Sequence, residues 1–211
     1  MLKRLQRAMW KVVDLVNSPR KTQKITRSAV ASRVIFERYL AAARVVDAKR
    51  FCAGSLAEMS MRVGGGKLMI NAPDIPFGLL DVEALLFTGI EQQPHDQELM
   101  LPKHTAWHQQ IYRYSAATTV LLCQPHFLMV LTNRNQLPPK GILSDADALI
   151  ERVKLIPASY IDGEWVEDSN EIWLVPSVGV LSAGQTLEQN IDRVEILESV
   201  CAMAVLKSLI A

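Results

Sequence analysis

The sequence predicts an α/β domain in which helices flank a central, mainly antiparallel sheet, and three observations carry that expectation. Apolar residues recur at three-and-four spacing in separate stretches, as amphipathic helices require: Ile35, Tyr39, Ala42 and Val46 in one, Leu187, Ile191, Val194, Leu197, Cys201 and Val205 in another. Between them lie short runs rich in Val, Ile and Leu, the composition of strands. Several of these runs are joined by loops shorter than the roughly twelve residues that a parallel crossover needs.

The elements follow in order. Residues 1–16 read as a basic amphipathic helix with Leu2, Leu5, Met9, Val12 and Val16 on one stripe, stopped by Asn17-Ser18-Pro19. Residues 1–27 carry Lys3, Arg4, Arg7, Lys11, Arg20, Lys21, Lys24 and Arg27 against the single acid Asp14, which sets them apart as an N-terminal extension from a domain at 28–211. The stripe suits docking on that domain or on a sister subunit; the alternative is an anionic surface or partner. Ser28 to about Arg50 is a second helix. Met59 to Val63 alternates as a strand, Gly64-Gly65-Gly66 turns, and Lys67 to Ile70 returns as the second arm of a hairpin. Leu80 to Leu85 reads as a short helix, Leu86-Phe87-Thr88 as a strand, 91–98 as a polar loop and His104 to Tyr114 as a helix. Thr118 to Leu131 is an apolar, β-prone run broken by Cys123-Gln124-Pro125-His126. A helix is expected over Asp145–Val153, and strands over Lys154–Tyr160, Glu171–Pro176 and Val178–Ala183. Thr186-Leu187-Glu188-Gln189 is a capping box at the head of the last helix.

Composition narrows the function classes. The chain has 211 residues, 49% hydrophobic, with 23 basic and 22 acidic side chains, so no global charge draws it to nucleic acid or membrane. No apolar run approaches the ~20 residues of a membrane span. Three separated cysteines, Cys52, Cys123 and Cys201, fit a reducing, cytoplasmic setting. There is no GxSxG elbow, P-loop or dinucleotide fingerprint. Cys123 near His126 raises a Cys–His nucleophile, but a thiol in an apolar strand is more often a buried structural residue.

A family likeness adds to this. Gly179-Val180-Leu181-Ser182-Ala183-Gly184, the capped turn and the helix with Leu197-Glu198 resemble the C-terminal signature of the class II aldolase/adducin family. Ser60-Met61-Arg62-Val63, Gly66 to Ile70, His108-Gln109-Gln110-Ile111-Tyr112 and the strand ending at Pro125 are similar to further family motifs, in the same order. The resemblance spans about residues 30–208. It implies a three-layer α/β/α sandwich, a homo-oligomer such as a cyclic tetramer, and sugar-phosphate aldolase or epimerase chemistry at a zinc ion held by three histidines.

This sequence departs from that pattern at each functional position. The ligand histidines fall on Leu122, Gln124 and Val178, the acid/base glutamate on His104, the asparagine before the first strand on Glu58, and the phosphate loop on Asn71-Ala72-Pro73-Asp74. A leucine has no lone pair, and a glutamine amide is a poor zinc ligand. The expectation is therefore a protein without a metal cofactor, non-catalytic, acting as an adducin-like binding or scaffold protein for a protein or small-molecule partner. Ser60, Asn71, Gln124 and His126 would line its cleft. The alternative is a lyase on a small carbonyl substrate with a rebuilt site, in which His104 and His108, four apart on one helix face, are the catalytic candidates. With His126 they could also gather zinc or another divalent metal.

Overall fold

The computed structural model describes residues 22–92, 101–157, 166 and 171–210, with side chains from residue 33 onward. The expected helix at residues 1–16 and most of the loop at 91–98 lie outside the described residues. Seven strands form one sheet: β1 (Glu58–Val63), β2 (Lys67–Asn71), β3 (Leu85–Gly89), β4 (Thr119–Cys123), β5 (Val153–Leu155), β6 (Ile172–Val175) and β7 (Gly179–Gly184). Their order is β3-β2-β1-β4-β7-β6-β5, antiparallel throughout except for the parallel pair β5 and β6. The helices are α1 (Thr22–Ala48), α2 (Thr105–Tyr114), α3 (His126–Thr132), α4 (Asp147–Ile150) and α5 (Leu187–Ile210).

Strand alternation divides the core in two. Met59, Met69, Leu121, Cys123, Ile172, Leu174 and Val180 point to one face, where they meet Tyr39 of α1, Leu128 of α3 and Val194 and Leu197 of α5. Leu68, Ile70, Val120, Leu122, Trp173 and Leu181 point to the other, against Trp107, Ile111 and Tyr112 of α2. The result is the α/β/α sandwich that the sequence predicts. No helix among the described residues is long and apolar enough to cross a membrane.

The capping box closes as expected: Thr186 Oγ1 accepts the Gln189 N–H at 3.1 Å, and Gln189 Oε1 accepts the Gln185 N–H at 2.9 Å. Three local expectations are corrected. Leu80–Leu85 is not one helix but the end of a 3-10 turn (Phe77–Leu79), then a second turn (Val82–Ala84) capped by Asp81 and the first residue of β3. The helix expected at Asp145–Val153 stops at Ile150, because Val153 already pairs with Ile172. The apolar run after Pro125 is the helix α3, not more strand.

That last correction has a physical cause. Pro125 has no N–H to extend the β4 ladder, and its φ of −65° suits the approach to a helix. The carboxylate of Glu198, reaching over from α5, then accepts the N–H groups of Phe127 and Leu128 at 3.0 and 2.7 Å. A charged acceptor on free helix N–H groups stabilises the first turn. Replacing Glu198 with Ala is expected to cost about 1–2 kcal/mol, read as a lower denaturant midpoint at unchanged slope. An unchanged midpoint would show that water caps α3 equally well.

Candidate functional site

The ends of β4 and β7 bring together the three positions singled out in the sequence. Leu122 lies opposite Leu181 in the β4–β7 ladder, and Gly179 follows Val178 at the start of β7. A Cβ on Gly179 would sit 2.7 Å from Leu122 Cδ1, 2.8 Å from the Cys123 carbonyl oxygen and 3.2 Å from Gln124 Nε2, so only glycine allows this approach. The Gln124 amide is spent on the backbone. Its Nε2 donates to the carbonyls of Leu56 and Val178, both at 3.3 Å, and its Oε1 accepts from the Ala53 N–H at 3.5 Å. An apolar side chain and an amide turned toward carbonyls fill this spot.

On the neighbouring strand, Glu58 pairs with Leu122 across β1 and β4 and faces α2. Its carboxylate is almost fully buried and binds the start of α2: the His104 N–H donates to it at 3.1 and 3.2 Å, and His104 Nδ1 lies 2.7 Å from Oε1. His108 Nε2 approaches Oε2 at 3.7 Å and has no hydrogen-bond partner. On its other side, His108 Nδ1 is 2.7 Å from Ser60 Oγ, which is 2.8 Å from the Tyr112 hydroxyl. Burial pushes His108 down to about 4, against the opposing pull of Glu58, so the ring is neutral at physiological pH. Burial likewise raises Tyr112, which stays protonated. The hydrogen bonds balance with Tyr112 donating to Ser60, Ser60 donating to Nδ1, and the one His108 proton on Nε2, toward Glu58. His104 stands at the outer end of this chain, its side chain 14% exposed and its ring 4.5 Å from that of Trp107.

The other residues singled out in the sequence fall elsewhere. Ser60 belongs to the buried chain just described. Asn71 points to the opposite face of the sheet, where its amide is committed to backbone groups. His126 is exposed at the first position of α3, in the layer opposite α2, so it does not join His104 and His108. Among the described residues no three of His, Cys, Asp or Glu are placed to hold a metal ion. Burial raises the Cys123 thiol well above its usual value and Cys52 and Cys201 to about 12, which removes the thiolate that a cysteine nucleophile needs. Asp74 has φ of 62°, the left-handed conformation natural to glycine, and projects a carboxylate from an exposed turn.

Glu58 is the site residue that sequence reasoning misses, since the chain alone shows it only as a replaced asparagine. Nothing in β1 marks it locally; its partners lie 46 and 50 residues further on, so only the β1–α2 packing shows it.

The family profile described as the class II aldolase and adducin N-terminal domain matches residues 37–205. The chain belongs to the class II aldolase/adducin family. Solved structures with the same fold include an L-fuculose-1-phosphate aldolase from Thermus thermophilus, at TM-score 0.72 and 14% identity over 82% of this chain and 96% of that one. YgbL of Escherichia coli superposes at TM-score 0.69 and 18% identity over 83% and 90% of the two chains. A sugar-phosphate aldolase from Thermotoga maritima does so at 0.57 and 12% over 85% and 96%. No curated protein matches.

Within this class II aldolase/adducin fold, the residues present do not fit the divalent metal that the family likeness implies. Leu122 and Val178 carry no donor, and the Gln124 amide points its N–H bonds at carbonyl oxygens, an orientation opposite to that of a ligand.

Proposed function

We propose that this chain is a class II aldolase/adducin-fold protein that has given up the metal-dependent chemistry and serves as a non-catalytic binding or scaffold protein. The observation that carries this is the filling of the β4–β7 corner: Leu122 packs within reach of Gly179, while Gln124 ties the 53–56 loop and Val178 to the end of β4. Partner docking or assembly falls to the basic residues 1–27 and to apolar surface such as Leu206, Leu209 and Ile210 on the last turns of α5. The expected assembly is a homo-oligomer in the cytoplasm.

Untagged protein, purified without chelator and dialysed against zinc, is expected to retain well under one metal ion per chain by inductively coupled plasma mass spectrometry. Stoichiometric zinc would overturn the reading. Light scattering on the same sample reads the assembly.

A second reading is favoured by one arrangement, a buried carboxylate standing between two imidazoles, His104 at the N-cap of α2 and His108 within it. Such groups recur where protons are transferred. On this reading the protein is a lyase-type enzyme acting on a small carbonyl compound, with His104 and His108 in its site.

A further inference from the structure

We infer that Glu58 is the positioning residue of a proton-transfer site in which His104 is the base: its carboxylate holds His104 as the Nδ1–H tautomer and leaves Nε2 as the basic nitrogen. This rests on the second reading above and assigns a role that it leaves open. Three features of the geometry point the same way. The Glu58 carboxylate is buried without any Lys or Arg partner among its described contacts, and its oxygens are directed at His104 and His108 alone. Its 2.7 Å contact to His104 Nδ1 fixes which nitrogen carries the proton, since a carboxylate accepts and an imidazole must then donate. The backbone N–H of His104 bonds the same carboxylate, so the ring and its attachment point are held together.

The inner groups give the dyad a fixed back wall. His108, fully buried, presents its unpartnered Nε2 toward the second oxygen of Glu58, and Ser60 and Tyr112 hold its far side. Arg62 lies over the Tyr112 ring at 5.0 Å, at the opposite end of the chain of hydrogen bonds. The chemical class that suits such a site is a small aldehyde or ketone with an acidic C–H next to the carbonyl. Nε2 takes that proton, the C–H electron pair becomes an enolate, and the imidazolium returns a proton to the same carbon. In D2O the imidazolium exchanges its proton with solvent first, so the returned atom is deuterium and nothing else is consumed.

The test uses the full chain, labelled with 15N-histidine, and two probes, glycolaldehyde and dihydroxyacetone, in D2O. Long-range 1H–15N spectra of the wild type are expected to show His104 as the Nδ1–H tautomer, shifting toward Nε2–H in Glu58→Gln. Probe α-protons are expected to exchange at least ~100-fold faster than in buffer with equimolar imidazole. Glu58→Gln should lose roughly tenfold or more of that rate, and His104→Asn should lose it all. Asn is a good residue for a helix start, so this second variant is expected to fold even if Glu58→Gln does not. A wild-type Nε2–H tautomer, or one indifferent to Glu58→Gln, overturns the positioning role whatever the rates. The expected tautomer with exchange no faster than imidazole overturns the proton-transfer reading itself.

Discussion

Acidification is expected to take about 2 kcal/mol from the fold by pH 5, and about 3 kcal/mol by pH 4, through His108 alone. The ring is fully buried and its folded value is pushed down to about 4, against the ordinary 6.5 of an unfolded chain. Between those values the unfolded chain binds a proton that the folded one refuses, so stability rises with pH across the window. It is lost as pH falls from 6.5 toward 4, and below 4 both states are protonated and this residue adds no further loss. The measurement is a series of denaturant midpoints for the wild type and for His108→Gln from pH 7 to 4. The difference between the two stability curves should narrow by about 3 kcal/mol toward acid. A flat difference would mean that the Glu58 carboxylate compensates burial fully, and that folded His108 takes up its proton over the same pH range as the unfolded chain.

That buried ring also shows where sequence and structure part. The layers are legible because their signals are local: helical spacing through Tyr39, Ala42 and Val46, the alternating Met59–Val63 run with its glycine turn, and a capping box before Leu187 all read directly. The run after Pro125 was misleading, because Phe127 to Leu131 has strand-like composition while its conformation is decided by proline and by Glu198, which lies 70 residues away. At the site, the absence of histidine at Leu122, Gln124 and Val178 is legible from residue types alone. The Glu58–His104 contact is not, since it depends on β1 pairing with β4 in one register and on α2 crossing that face. Hydrogen bonds made across layers leave no periodicity in the chain.

Asn71 provides the sharpest separation between a binding residue and a structural one. The family likeness places it in a ligand loop, yet its side chain is buried on the α1 face with its hydrogen-bonding groups spent internally. Oδ1 accepts the Met59 N–H at 2.8 Å and lies 3.5 Å from the Tyr39 hydroxyl; Nδ2 donates to the carbonyls of Ala57 and Ala72 at 3.3 and 3.1 Å. The Tyr39 hydroxyl itself donates to the Met59 carbonyl, so one amide and one phenol lock α1, β1 and β2 together. Asn71→Ala would strand the Met59 N–H and the Ala57 carbonyl without partners in a buried site. Each such group costs about 1–3 kcal/mol, so a loss of about 3 kcal/mol is expected, or roughly 10 °C in melting temperature for a chain of this size. Asn71→Asp should be at least as damaging, because it keeps the acceptor but turns a buried carboxylate toward two carbonyl oxygens. Thermal melts of both variants decide the matter. Two stable proteins with weakened ligand capture would return Asn71 to the cleft; two destabilised ones place it in the framework that holds α1, β1 and β2 together.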